Sequence, residues 1–216
     1  MSTVNFHFTF NYSQPEEYRF SHDSVFLARQ AFEISAGTSL EGKRALDIGA
    51  GSGIVGLDFL FHRKMAGLTL PLLFDFLEIQ EVYRPHFEVN REASGLVESE
   101  INFVHQNYEA LSQPGYFQKY DLIMANPPYF LTAHGLLSPS DFKNRCRFFI
   151  DSDFSALLLG INNSLTPSGE AYILLKDLPQ HGWNVLAEAE KVCGDKLKFE
   201  TLGDIRGTLF IRIKKL

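Results

Sequence analysis

Asn126-Pro127-Pro128-Tyr129 holds the residue types best suited to chemistry in this 216-residue chain. The preceding Tyr120–Ala125 stretch reads as a buried strand with a polar start. The Asn126 amide and the Pro127 carbonyl therefore fall where a strand empties into a loop. Two prolines stiffen that loop, and Tyr129 adds a ring. An amino group on a heteroaromatic ring is a poor nucleophile, because its lone pair is delocalised. Two acceptors set around its hydrogens favour the pyramidal, localised form, and the Asn126 side-chain oxygen and Pro127 main-chain oxygen are two such acceptors. No strong base is needed, since the substituted nitrogen becomes cationic and loses a proton readily. Tyr129 would stack on the ring, a contact worth about 1–3 kcal/mol. The competing reading is a rigid turn, since Asn-Pro dipeptides mark turns.

A second constellation lies upstream. Asp47-Ile48-Gly49-Ala50-Gly51-Ser52-Gly53 sits at the first strand-to-helix turn. Glycines there let the chain turn sharply and a ligand approach the backbone, and the following helix offers free N–H groups. Glu78, with Ile79 after it, ends the second strand, where a carboxylate accepts both hydroxyl hydrogens of a ribose. Gly51-Ser52-Gly53-Ile54-Val55-Gly56 also satisfies the dinucleotide pattern G-x-G-x-x-G, so an NAD(P)-binding oxidoreductase competes on this feature alone. Asp47 tips the balance. It would repel a pyrophosphate but suit the sulfonium and amino groups of S-adenosylmethionine. Gln106-Asn107-Tyr108 follows the third strand, and the Asn107 amide oxygen is placed to accept from an adenine amino group. Equally, Asn107 would simply close a strand.

The elements that position these residues alternate. Strands are expected at Arg44–Ile48, Leu72–Glu78, Ile101–His105, Asp121–Ala125 and Glu170–Lys176. Helices are expected at Ile54–Lys64, Val82–Ser94, Asp153–Ser164 and Trp183–Val192. Lys198–Leu202 and Thr208–Lys214 read as a closing antiparallel pair. This order predicts an α/β, Rossmann-like fold with a mainly parallel seven-stranded sheet, an antiparallel terminal strand and helices on both faces. Phe6, Phe8 and Phe10 alternate with polar residues as in a strand, and Ser24–Phe32 reads as a helix. Residues 1–216 are expected to form one domain, with 1–43 an N-terminal extension packed over the sheet and 44–216 the cofactor-binding and catalytic fold.

Composition bounds the function. Apolar residues at 45% and charged residues at 21% describe an ordinary globular chain. Two cysteines, Cys146 and Cys193, are too few and too far apart for a disulfide framework or a zinc cluster, so no metal is expected and a reducing cytoplasm fits. Met1–His7 lacks the basic and apolar regions of a secretory signal. The most apolar run, Leu68–Leu77, is broken by Pro71 and Asp75 and falls short of the ~20 residues of a membrane span. A net charge of −6 argues against holding nucleic acid by charge alone. Local clusters matter more, and Lys143, Arg145 and Arg147 cluster just beyond the Asn-Pro-Pro-Tyr loop. A second basic group, Lys191 to Lys215, reads as a solvated face.

With these residues in place the chain resembles the class I S-adenosylmethionine methyltransferases of the amino-group type. Among them it is similar to the bacterial tRNA adenine-N6 methyltransferases that modify the adenosine beside the anticodon of valine tRNA. The resemblance runs from about Phe6 to Lys176. It rests on Leu46–Gly53, on Glu78 and Asn90, on Asp121-Leu122-Ile123, and on Asn126-Pro127-Pro128-Tyr129-Phe130. Arg147 resembles an arginine that follows the family's catalytic loop. Phe20-Ser21-His22-Asp23-Ser24-Val25-Phe26-Leu27 is similar to a family segment lying over the cofactor. By that resemblance His22 and Asp23 help close the site; otherwise Asp23 or Ser24 caps a helix. The family usually has Asp where Asn107 stands. The resemblance implies Asn126, Pro127, Pro128 and Tyr129 as catalytic. It implies Asp47, Gly49, Gly51, Gly53, Glu78, Ile79, Asn107, Tyr108 and Asn126 around S-adenosylmethionine. His22, Asp23, Phe130, Arg145 and Arg147 would face an RNA substrate.

Two alternatives stand beside it. Methylation of a protein glutamine poses the same problem to the same tetrapeptide, although those enzymes usually carry a helical domain where this chain has about 44 residues. A non-catalytic scaffold would keep the fold but have no use for Asn126.

Overall fold

The computed structural model describes residues 11–96, 99–131 and 136–216. Phe6, Phe8 and Phe10 lie outside the described residues. In chain order the elements are α1 (His22–Ser35), β1 (Arg44–Ile48), α2 (Ile54–Met65), β2 (Leu73–Glu78), α3 (Arg84–Ser94), β3 (Glu100–His105), β4 (Tyr120–Ala125), β5 (Phe130–Leu131), α4 (Asp141–Arg147), β6 (Phe148–Phe149), α5 (Phe154–Ser164), β7 (Leu165–Leu175), α6 (Val185–Cys193), β8 (Leu197–Asp204) and β9 (Leu209–Lys215).

Seven strands form one sheet in the order β3-β2-β1-β4-β7-β9-β8. All pairs are parallel except those of β9 with β7 and β8. The expected antiparallel ending is there, and it consists of β9 between two neighbours. Strand alternation sends side chains to two cores. Ala45, Phe74, Phe76, Leu122, Met124, Leu174 and Phe210 pack under α1, α2 and α3. Leu46, Ile48, Ile123, Ala125, Ile173, Ile211 and Ile213 pack under α5 and α6. Buried on both faces, the central strands read as near-continuous apolar runs.

The order explains where a site must be. β1 lies between β2 and β4, with Asp47 level with Phe76 and Ile48 level with Ala125. Chain leaving β1 turns one way and chain leaving β4 turns the other. Their carboxyl ends therefore open a crevice, as expected at such a switch point.

Some expectations change. Val82–Ser94 is not one helix: Glu81–Tyr83 forms a single 3-10 turn, and α3 starts at Arg84 with Pro85 in its first turn. Proline fits there because its missing N–H would be unpaired anyway. β7 starts at Leu165 rather than Glu170, through a register irregularity opposite Tyr120 and Leu122. The short parallel pair of β5 with β6 and the helix α4 between them carry no period that a sequence reading would detect.

Candidate active site

A cavity of about 250 Å³ opens over the ends of β1, β2 and β4. Its floor is the loop after β1. Gly49, Gly51 and Gly53 all have positive φ, at 68°, 53° and 84°. At Gly53 a Cβ would also lie 2.7 Å from the Phe87 ring, so two independent demands require glycine there. The amides of Gly49 and Ala50 both donate to the Leu77 carbonyl, at 2.9 and 3.1 Å, which stitches the loop to β2.

Glu78 borders the cavity. Its Oε2 accepts from the Gly51 amide at 2.9 Å and its Oε1 from the Gln80 amide at 2.8 Å. Burial raises its pKa, opposed by the amides of Gln80, Gly51 and Ile79. Ile79 also lines the cavity, and its carbonyl pairs with the His105 ring at 2.8 Å.

Asp47 is placed differently from the expectation. It does not line the cavity but lies wholly buried beneath the loop, where Oδ2 accepts from the Gly56 amide at 3.0 Å. It thus caps α2 from outside the helix and holds the loop against it. Its other oxygen, Oδ1, has no hydrogen-bond partner. Burial pushes its pKa up to about 8; the Gly56 amide opposes the shift and the Glu78 charge adds to it. Gly53 likewise backs onto the core rather than the cavity.

Asn107 borders the cavity, but its amide is already engaged. Oδ1 accepts from the Glu109 amide at 2.9 Å, capping a 3-10 turn, and Nδ2 donates to the Asp151 carbonyl at 2.9 Å. The strand-closing reading is the one these bonds support. Tyr108 also lines the cavity and donates to the Asp153 carbonyl at 3.2 Å.

Across the cavity, Asn126, Pro127, Pro128 and Tyr129 form one wall. Asn126 Oδ1 accepts from the Tyr129 hydroxyl at 2.6 Å, and Nδ2 donates to the Ser24 hydroxyl at 2.9 Å. The Tyr129 ring packs on the edge of the core, with Lys176 Nζ 5.8 Å from its centroid. One face is therefore already partnered, and the hydroxyl serves the motif itself. Burial, first, and the nearby Asp23 raise its pKa.

The mouth is aromatic and cationic. β5 and β6 bring Phe130 level with Phe148, their rings 5.7 Å apart, and the Arg147 guanidinium lies 5.7 Å from each centroid. Arg145 pairs with Asp151 at 3.6 Å. Both arginines line the cavity.

Chain preceding the sheet forms the remaining wall, through Gln14, Tyr18, Phe20, Asp23 and Ser24. Asp23 pairs with Arg206 at 3.6 Å. His22 does not line the cavity. Neither Asp23 nor Ser24 caps α1; Ser21 holds the cap position, without a side-chain bond. Asn90 fastens this wall to the floor. It accepts from the Ser13 amide at 2.7 Å and donates to the carbonyls of Ser13 and Ser52, each at 2.9 Å. Sequence reasoning missed Ser24 as a site residue. It also missed Gln80 and Tyr83, which hold the Cys146 sulfur at 3.5 and 3.2 Å beside Glu78. Nothing in their types marks them. Among the described residues no group of three or more His, Cys, Asp or Glu is placed to hold a metal, and no helix is long and apolar enough to cross a membrane.

No family model matches the chain. It is similar to curated proteins named tRNA1(Val) (adenine(37)-N6)-methyltransferase. The one from Shewanella sp. (strain W3-18-1) is 32% identical over 151 residues, 69% of this chain and 59% of that protein. The one from Bacteroides fragilis (strain ATCC 25285) is 29% identical over 143 residues, 66% and 56% of the two chains. The chain thus spans between half and three fifths of the length of these relatives. Among solved structures, the Thermus thermophilus 16S rRNA N2 G1207 methyltransferase RsmC superposes with a TM-score of 0.63 at 16% identity, covering 93% of this chain and 45% of that one. TrmN from Thermus thermophilus superposes with a TM-score of 0.58 at 22% identity, covering 89% and 49%. The fold is therefore that of the class I methyltransferases, and the similar curated proteins are named for adenine-N6 methylation.

Proposed function

We propose that this protein is an S-adenosylmethionine-dependent N-methyltransferase acting on N6 of an adenine in RNA, with a tRNA as acceptor. The observation that carries the reading is one shared cavity. Its floor is a glycine loop with a ribose-type carboxylate, and its wall presents the Asn126 amide and the Pro127 carbonyl. S-adenosylmethionine, when bound, supplies an electrophilic methyl group on a sulfonium.

The chain's own residues fit that cofactor. Glu78 is held in place by backbone amides, ready to receive ribose hydroxyls. Asp47 keeps a buried, unpartnered oxygen beneath the loop, and a cation bound nearby would favour its ionised form. Asn126 Oδ1 takes one hydrogen bond from Tyr129 and, as a carbonyl-type oxygen, has room for a second. Among the described residues no donor reaches the Pro127 carbonyl. These two oxygens would accept the two amino hydrogens of adenine, pyramidalise the nitrogen and draw its lone pair out of the ring. Phe130, Phe148 and Arg147 frame the entrance, where a base unstacked from its RNA would pass.

The relatives named for tRNA support the choice of acceptor, and a tRNA acceptor would be met in the cytoplasm. The test is transfer of labelled methyl from S-adenosylmethionine to separated tRNA, rRNA and protein. Label in tRNA, released as N6-methyladenosine on digestion, is expected. Label in protein glutamine would replace the acceptor, and thermal stabilisation by NAD but not by S-adenosylhomocysteine would replace the whole reading.

A further inference from the structure

Among the described residues three carboxylates line the cavity, and they stand at three places along it: Asp23, Glu78 and Asp151. Asp23 adjoins Ser24, which touches Asn126 at the reacting end. Glu78 ends β2. Asp151 stands at the other end, where its carbonyl accepts from Asn107, just beyond β3, at 2.9 Å. The sheet order β3-β2-β1-β4 fixes this sequence of places. Three strand spacings, roughly 14 Å, separate the β3 end from the β4 end.

S-adenosylmethionine carries its sulfonium on one side of a ribose and its base on the other. With the ribose hydroxyls at Glu78 and the sulfonium toward Asn126, the base is sent toward β3. Its 6-amino group needs an acceptor there. The nearby side chains are largely spent. Asn107 Oδ1 accepts from the Glu109 amide, and Gln106 Oε1 accepts from the Tyr116 hydroxyl at 2.6 Å. The Ser152 hydroxyl donates to Glu109 at 2.7 Å. Asp151 is different. The bond from Asn107 ties down its main chain, but its side chain, 23% exposed, meets only the Arg145 guanidinium, at 3.6 Å. Among the described residues no hydrogen bond reaches this carboxylate. A largely buried carboxylate ordinarily has hydrogen-bond donors around it. This one keeps open acceptor sites at the cavity edge.

We infer that Asp151 is the residue that selects adenine in the cofactor, its carboxylate accepting the 6-amino group while Asn107 holds the Asp151 backbone in place. The inference rests on the proposed cofactor, but its readout is binding alone and needs no methyl acceptor.

Calorimetry on the full chain tests it, with S-adenosylhomocysteine and S-inosylhomocysteine as probes. Inosine has a carbonyl oxygen where adenine has its amino group, so it sets an acceptor against the carboxylate. The wild-type protein should bind the adenosyl compound more tightly. Asp151→Ala should weaken that compound about 10–100-fold, the loss of one hydrogen bond to a charged group. Its affinity for the inosyl compound should not fall, so the preference is erased. Asp151→Asn keeps the size of the side chain and should keep the thermal midpoint. Its amide can offer either oxygen or NH2, so it should bind the two compounds nearly alike.

A preference that survives in Asp151→Ala would overturn the inference and leave Asp151 as a partner of Arg145. Equal binding of the two compounds by the wild-type protein would overturn it too, as would a preference erased by Asn107→Ala but kept in both Asp151 variants. Binding of neither compound would sink the proposed function along with it. The expected pattern in a protein that methylates no RNA would leave Asp151 in its role and remove only the proposed acceptor.

Discussion

The loop after β1 and the loop after β4 lie side by side at one edge of the sheet, yet they are held by opposite means. The first is held mainly through backbone, its own and that of the neighbouring β2. Its glycines have positive φ, its amides bond to Leu77, and Asp47 reaches only as far as Gly56. The second depends on side chains remote in sequence. Ser24 is 102 positions from the Asn126 it touches, and Lys176 Nζ lies over the Tyr129 ring, 5.8 Å from its centroid. A cofactor common to many proteins can be met by a backbone mould, whereas orienting one reactive amide takes polar partners brought from several elements. Damage to the first loop should therefore appear as lost stability and cofactor affinity, and damage to the second as lost rate alone.

The largest expected effect is at the second loop. Asn126→Ala should lower turnover by about 10²–10³-fold, the range seen when one aligned polar group is removed from a reacting centre. Affinity for S-adenosylhomocysteine by calorimetry should be unchanged. A parallel loss of affinity would mean that the two loops are not separate devices.

Gly53→Ala should do the reverse. The new Cβ meets the Phe87 ring at 2.7 Å on a backbone with φ of 84°. Destabilisation of about 1–3 kcal/mol is expected from overpacking and strain, read in urea unfolding, with weaker binding of S-adenosylhomocysteine. Wild-type stability would show that the loop yields more than its packing indicates.

The third effect is read against pH and concerns Asp47. Its folded-state pKa is pushed up to about 8, against about 3.9 for an Asp in an unfolded chain. Between those values the native protein holds a proton that the unfolded chain has released. Stability should therefore fall as pH rises through that window, by at most about 1.4 kcal/mol per pH unit for this proton. The raised pKa of Glu78 acts in the same direction. In Asp47→Asn the slope between pH 5 and 8 should flatten relative to wild type. Equal slopes would mean that Asp47 is ionised throughout.

The same contrast decides how much could be read in advance. Glycines at alternate positions between an apolar strand and an amphipathic helix signal themselves, because their cause is local. The fold followed for the same reason: strand and helix periods are short-range properties, and their alternation implies a mainly parallel sheet. The motif at Asn126 was legible as a set of residue types, but its hydrogen bonds were not. Asp47 and Asn107 have backbone partners that their types do not reveal: Asp47 accepts from the Gly56 amide and Asn107 from the Glu109 amide, each in the next element. Residue type reports that a carboxylate or amide will accept a hydrogen, not which donor lies nearest.

By itself, then, the sequence determined the alternation of the seven sheet strands with the helices on both faces, the glycine floor and the presence of Asn126-Pro127-Pro128-Tyr129 at the end of β4. All of these follow from periodicity and backbone sterics over a few residues. Only the tertiary structure decided that Ser24 meets the Asn126 amide on one side and Tyr129 on the other, and that the Arg147 guanidinium lies 5.7 Å from both the Phe130 and the Phe148 rings at the mouth. A hydrogen bond selects direction at about 3 Å, and residues remote in sequence come that close only when the whole sheet has folded.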